Sequence, residues 1–474
     1  MFPFFFNFCS ILIAVFLCVC ITITLAKSVY ECSKNGCRFE VQREGVNEDE
    51  NLTFVFTAGT GPIIVEFSKS ILPSIPTSLF DGDNGNRING LYVLATGLLA
   101  IHPDTFAQAY ALEKLNLNKN LIKELDRPSF ANAKNLTTIE IRGNQITAIG
   151  ESTFQGLSRL EDIDLDKNNI RKLPSKLFAG LRNLQRISLA ENRIRELEDH
   201  LFDDLLALEV LSLGKNDIEK LNSNVFTGTP QLQTLDLQGN RISSIDPEVF
   251  KPLSELAYIA LNSNNLKTLP PETFSSLSLL AYLDLGNNLL QELPTELFRY
   301  TTLSAAENQL STIEVNQTEG SSSVLTQLSA QRNRFTNFNN FVQFKSLVYL
   351  DVSYNDFSEL DIGTISTKLQ RLRELNVSNS HIKRIKSDGI NTQENLTHLD
   401  ISNNNLTNLE LNAFEKFSSL ERDVLCFLYL ILHFMLLDYI LLLGHLLIIF
   451  VLTGSAFRLS ANSGELIHLE HRYT

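Results

Sequence analysis

From Leu112 onward a leucine recurs every 24 residues, at Leu112, Leu136, Leu160, Leu184, Leu208, Leu232, Leu256 and Leu280. Aligned on that period, LEKLNLNKNLIKELDRPSF, LTTIEIRGNQITAIGESTF and LEDIDLDKNNIRKLPSKLF share the pattern L-x-x-L-x-L-x-x-N-x-I-x-x-L-x-x-x-x-F. Two looser copies precede the run, from Pro62 and Ile88, and five irregular ones follow, from Tyr300, Leu325, Leu347, Leu372 and Leu396, giving fifteen. A unit this short cannot bury its apolar face alone, whereas stacked units bury one continuous core. The pattern therefore predicts an α/β repeat solenoid over residues 62–417.

Each pattern position has a physical task. The L-x-L segment alternates as a short strand does, with Leu or Ile inward and x toward solvent. Stacking aligns these strands into a parallel sheet on the concave side. The Asn that follows, Asn120 in the first regular repeat and Asn288 in the last, stands where the chain turns inward. Its amide is suited to bonding backbone groups that are costly to bury bare. A Phe closes each repeat, from Phe106 to Phe298, which accounts for much of a composition with 31 Phe and no Trp. These positions are structural.

The ends differ from the array. Residues 1–26 are almost wholly apolar and finish in Thr24-Leu25-Ala26, the pattern of a secretory signal peptide; an uncleaved anchor is the other reading. Behind it Cys32 and Cys37 bracket four residues, and in an oxidising compartment a small disulfide loop is expected. A zinc site would need two further ligands, and no His lies close by in sequence. N-x-S/T sequons at Asn51, Asn135, Asn316, Asn376, Asn395 and Asn405 are candidate glycosylation sites on the same route.

At the other end the repeat breaks, and an apolar run extends from Val424 to Leu452. It exceeds the ~20 residues that span a bilayer. Asp438 within it costs ~2.5–3.5 kcal/mol at mid-membrane, which the surrounding Leu, Ile, Val and Phe outweigh. Residues 424–453 are thus expected as a C-terminal apolar transmembrane helix, followed by a short tail, 454–474. A helix covering the solenoid's open end and sequence continuing past a true exon boundary are the other readings.

Catalytic patterns are missing: no H-E-x-x-H, G-x-S-x-G, C-x-x-C or phosphate-cradling Gly loop occurs. An enzyme, a cofactor and a bound metal are therefore not expected. The formal net charge of −14 argues against a nucleic-acid surface and leaves basic proteins as partners. Function then falls to the exposed strand positions. The middle x of L-x-L supplies Glu140, Asp164, Asp236 and Asp284, an acidic stripe that is either a binding feature or a solvated face. Tyr258 and Tyr282 share a column in consecutive repeats, either as interface anchors or as side chains that merely stack.

On these motifs the chain resembles the extracellular leucine-rich-repeat family, in its 24-residue class. The resemblance covers residues 62–417 and implies a horseshoe whose concave sheet binds a protein or glycoconjugate. It also implies that residues 27–61, with Cys32 and Cys37, form an N-terminal disulfide cap over the core. The ECSKNGC segment, the regular array and irregular copies such as LSAAENQLSTIEV and LTQLSAQRNRF resemble, more narrowly, insect leucine-rich immune proteins and connectin- or chaoptin-type adhesion proteins. That likeness implies recognition in adhesion or innate immunity, at the plasma membrane or secreted. Assembly into homo- or heterodimers is open to such a chain.

Overall fold

The computed structural model describes residues 28–33, 36–41, 62–68, 71–125, 128–314, 323–407, 414, 416–420 and 422–424. The signal-peptide expectation at 1–26, the sequons at Asn51 and Asn316, and all but the first residue of the expected helix at 424–453 lie outside these. The chain divides into two compact units. One holds the residues up to Asp217 with Asn224–Gln231; the other holds Ile218–Ser223 and the residues from Leu232.

In the first unit, strands Ser28–Ser33 and Gly36–Val41 form an antiparallel hairpin with Cys32 opposite Cys37. Gly36–Val41 then pairs in parallel with Ile63–Ser68, which pairs with Ile88–Leu94. Beyond these the parallel ladder continues through Lys114–Asn116, Thr138–Glu140, Asp162–Asp164, Arg186–Ser188 and Val210–Ser212. Only the central residue of each three-residue strand is buried: Leu115, Ile139, Ile163, Ile187 and Leu211. This is the inward half of the L-x-L alternation.

The asparagines tie one coil to the next. Asn168 donates from Nδ2 to the Ile141 carbonyl of the preceding coil (3.0 Å) and to the Leu165 carbonyl of its own (2.9 Å), while Oδ1 accepts from Ile146 N–H (3.1 Å). Asn144, Asn192 and Asn216 repeat all three bonds. Behind them runs the phenylalanine column, which the structure extends back to Phe80. Neighbouring rings from Phe80 to Phe226 lie 5.7–6.4 Å apart.

The second unit repeats the parallel ladder through Thr234–Asp236, Tyr258–Ala260, Tyr282–Asp284 and Thr302–Ser304. It goes on through Gln327–Ser329, Tyr349–Asp351, Glu374–Asn376 and His398–Asp400. The irregular repeats keep this register because their asparagines keep their bonds: Asn308, Asn333 and Asn355 each donate to carbonyls of their own and the preceding coil. Ser380 occupies the equivalent place in its coil and donates to the Ser378 and Val352 carbonyls.

Two expectations change. The regular coils cross their far side on turns and 3-10 segments such as Pro271–Phe274 and Thr295–Arg299, each entered from a proline. A 3-10 turn covers more length per residue than an α-helical turn. Among the described residues one α-helix occurs, Ile362–Lys368, capped by Asp361, whose side chain accepts from Thr364 N–H. At the other end, Val424 does not begin a helix. It closes a strand, Arg422–Val424, that pairs in parallel with His398–Asp400 and sets Asp423 opposite Leu399. Backbone pairing thus runs one strand past the point where the side-chain pattern fails. Among the described residues no helix is long and apolar enough to cross a membrane.

Candidate functional site: an aromatic and acidic patch on the sheet

The solvent side of each sheet is built from the residues flanking each buried strand centre, and the two units use it differently. In the first, polar groups satisfy one another. Glu140 accepts from the side-chain amides of Asn116 (2.5 Å) and Asn118 (3.0 Å). Buried Asp166 pairs with Arg142 (2.9 Å) and accepts from Ser188 Oγ (2.5 Å) and Ala190 N–H (2.7 Å). Arg186 pairs with Asp162. Burial holds the Asp164 carboxyl above its usual range, and the neighbouring Asp166 and Glu140 charges push it the same way.

The second unit carries the tyrosine pair. Tyr258 and Tyr282 face each other across adjacent strands, with ring centroids 4.7 Å apart and planes 3° from parallel. Tyr258 remains 38% exposed. Burial raises both hydroxyl pKa values, with further upward pushes from Asp236 and Asp284 on Tyr258 and from Asp284 on Tyr282, so the rings stay neutral at physiological pH. In the neighbouring column Asp236, Ala260 and Asp284 are successive ladder partners. Ala260, between the two half-buried carboxylates, is itself buried, at 3% exposure. Among the described residues neither Asp236 nor Asp284 has a cationic partner.

The six expected site residues therefore separate. Tyr258, Tyr282, Asp236 and Asp284 come together in the second unit, and Glu140 and Asp164 belong to the first. Tyr349 continues the tyrosine column only after Thr302 and Gln327.

The acidic stripe also has a structural cause. The side chains of Asp164, Asp236, Asp284, Asp351 and Asp400 each accept the N–H two residues on, closing the turn that leaves the strand. Asn116 and Asn376 do the same. A short side-chain acceptor suits this position whatever its charge. What the stripe did not reveal is that Ala260, the ladder partner of Asp236 and Asp284, is buried. Buried Asp166 was also missed, because a lone Asp after L-x-L reads as a surface charge.

The described sequons differ in environment. Asn135 donates to the Tyr110 carbonyl (2.6 Å) and Asn395 to the Gln370 carbonyl (2.7 Å). Asn376 lies on the sheet with its oxygen accepting from Ser378 Oγ (2.8 Å), and Asn405 is exposed. Among the described residues no group of three or more His, Cys, Asp or Glu residues is placed to hold a metal ion.

Comparison with known proteins agrees with this geometry. The family model described as Leucine rich repeat matches residues 87–146, 134–194, 182–242, 230–290 and 370–422. No curated protein sequence matches the chain. Among solved structures, TLR13 in a complex with ssRNA13 is 26% identical, with a TM-score of 0.60 over 71% of this chain and 50% of that one. Drosophila Toll, in the Toll–Spatzle complex, is 20% identical with a TM-score of 0.65 over 81% of this chain and 53% of that one. A leucine-rich-repeat protein of Leptospira interrogans is 22% identical, with a TM-score of 0.60 over 73% and 85%. The chain spans about half the length of the TLR13 and Toll chains it matches.

Proposed function

The chain belongs to the leucine-rich-repeat family, a family of binding scaffolds rather than a catalytic one, and on that premise we propose that it is an extracellular recognition protein of adhesion or innate immunity, binding a protein ligand on the solvent side of its sheet. The observation that carries this reading is the stacked Tyr258–Tyr282 pair beside two carboxylates with no cation of their own. Exposed tyrosines on a rigid sheet cost little entropy to dock against and are typical interface anchors. The other four outward strand residues of this patch, Thr234, Asp236, Ala260 and Asp284, are polar or small, which suits a surface held ready for a partner in water.

Several features support the compartment. The apolar start, the two cysteines that share one register position of the hairpin and the sequons all fit a secreted ectodomain. The apolar run after the repeats would hold it at a membrane. TLR13 was solved with an RNA and Toll with Spatzle, and the chemistry of this face separates those alternatives. Phosphates would meet Asp236 and Asp284 with like charge, so a basic protein surface is the better fit. Insect immune and connectin- or chaoptin-type adhesion proteins remain the relatives whose organisation this chain resembles.

The test is a binding screen of the purified chain against secreted proteins and receptor ectodomains, repeated with Tyr258→Ala/Tyr282→Ala. A bound protein whose affinity falls more than ~30-fold in the double variant is expected, mostly through faster dissociation. Unchanged affinity in a folded double variant would remove the patch from the interface.

A further inference from the structure

We infer that Tyr258 and Tyr282 are an oxidative cross-linking site, at which hydrogen peroxide and a haem peroxidase join the two rings as dityrosine and staple adjacent coils together. The reaction needs no bound ligand, so it stands apart from the recognition reading above. The two residues are direct ladder partners, and bonds from Ala281 N–H (2.9 Å) and Tyr282 N–H (3.1 Å) to the Ala257 carbonyl hold their strands together. Their rings lie 4.7 Å apart between centroids, with planes 3° from parallel. Neighbouring strands keep the two Cα atoms ~4.8 Å from each other, so the rings can couple by turning about their side-chain bonds without a strand moving. A pair positioned in this way reacts as if at very high local concentration, which favours coupling within the chain over coupling between chains.

Each phenol gives up one electron and one proton to become a phenoxyl radical, and the two electrons and two protons reduce one hydrogen peroxide to two waters. The radicals couple through ring carbons beside the hydroxyls, forming one C–C bond. Each coupled ring then moves its displaced hydrogen to oxygen and becomes a phenol again, so the pair ends two hydrogens lighter. Tyr258 is exposed and Tyr282 half-buried, which gives an oxidant access to the pair. The chain has no Trp to compete for the oxidising equivalents. The other described tyrosines lack a second phenol beside them. As ladder partners Tyr30 has Phe39, Tyr92 has Glu66 and Asn116, and Tyr349 has Gln327 and Glu374. Tyr300 is buried, with its hydroxyl donating to the Phe274 carbonyl (2.7 Å). Tyr110 and Tyr354 are exposed, and neither has a tyrosine in ring contact among the described residues. Those two are oxidisable but unpaired, and they serve as internal controls.

The test treats the purified, folded chain with a haem peroxidase and hydrogen peroxide, at two chain concentrations tenfold apart, and reads dityrosine fluorescence and tryptic peptide masses. Tyr258 and Tyr282 fall in separate tryptic peptides, 242–267 and 268–299, with no other tyrosine in either. The expected product is a chain of monomer mass in which these two peptides are joined, two hydrogens lighter than their sum, at a yield independent of chain concentration. Tyr258→Phe and Tyr282→Phe keep the ring stack and remove a phenol, and each alone should cut within-chain dityrosine at least tenfold. Tyr110→Phe/Tyr354→Phe should change it less than twofold. Absence of the joined peptides would overturn the site, and loss of Tyr110 and Tyr354 in the same digest shows that the oxidant reached the chain. Dityrosine confined to dimers of the chain would overturn it too, as would within-chain dityrosine that survives in Tyr258→Phe.

Discussion

Thr105, Thr153 and Thr273 stand one residue before the column phenylalanines Phe106, Phe154 and Phe274 and are fully or almost fully buried, yet their hydroxyls differ in fate. Thr153 Oγ1 donates to the Leu125 carbonyl at 2.6 Å, while the Thr105 and Thr273 hydroxyls have no hydrogen-bond partner among the described residues. Other coils place Leu177, Leu201, Val225, Val249 or Leu297 there, so the site is apolar by construction. A buried hydroxyl without a partner costs ~1–3 kcal/mol in desolvation, and replacing it by a methyl of the same shape removes that cost. Thr273→Val should therefore stabilise the chain by ~1 kcal/mol, and Thr153→Val should destabilise it by a similar amount. Urea denaturation of both variants checks this, and a loss of stability in Thr273→Val would show that the hydroxyl is satisfied after all. The two threonines also mark a limit of the sequence. Both occur as x-T-F, and only the fold tells which one reaches a carbonyl.

At the scale of the coil, the turn between strand and asparagine takes a left-handed backbone at the residue just before the Asn, and this device is invisible to a hydrophobic pattern. Lys119, Lys167, Glu191 and Lys215 hold φ between 55° and 60° there, and Gly143 holds 68°. The Leu, Asn and Phe positions were legible because burial selects their side chains, so the repeat could be read from their spacing alone. The left-handed position is selected by backbone geometry, and long polar side chains hide it. The 3-10 segments of the far side are not written in the apolar pattern either, and Pro270, Pro271 and Pro294 stand where they begin. A left-handed backbone costs an L-residue ~1–2 kcal/mol, more with a branched Cβ, and glycine almost nothing. Lys215→Val should thus be less stable than Lys215→Gly by ~1–2 kcal/mol. The exposed Lys215–Glu191 pair at 3.8 Å is lost in both variants and drops out of the comparison. Equal unfolding midpoints for the two would mean that the turn relaxes around the new side chain.

For the molecule as a whole, the question is which parts of its surface a secreted form leaves open, and the sequons answer it coil by coil. The tyrosine pair was legible only in part, because the column of Tyr258 and Tyr282 is a sequence fact while the geometry of their rings is a packing fact. Glycans add a third constraint. Asn376 stands on the sheet face as the ladder partner of Asp351 and Asp400; its oxygen accepts from Ser378 N–H and Oγ, and its amide donates to Asp351 (3.3 Å). A sugar on that nitrogen would leave one N–H for Asp351 and would stand over the neighbouring strands. Asn135 and Asn395 each use the same nitrogen to hold the preceding coil's carbonyl, and a glycan there must leave the remaining N–H aimed at it. Asn405 is exposed, and its amide has no partner among the described residues. Expressed through a secretory route, the chain should therefore carry a glycan most completely at Asn405 and least at Asn376, with Asn135 and Asn395 between them. Enzymatic deglycosylation in isotopically heavy water, followed by peptide mass mapping, reads the occupancy of each site. Full occupancy at Asn376 in folded, secreted protein would contradict the ordering and would place a sugar on the sheet beside the column that Tyr349 continues. Low occupancy there would leave the strands around Tyr258, Ala260 and Tyr282 free of carbohydrate on their own unit, as a protein-binding face requires.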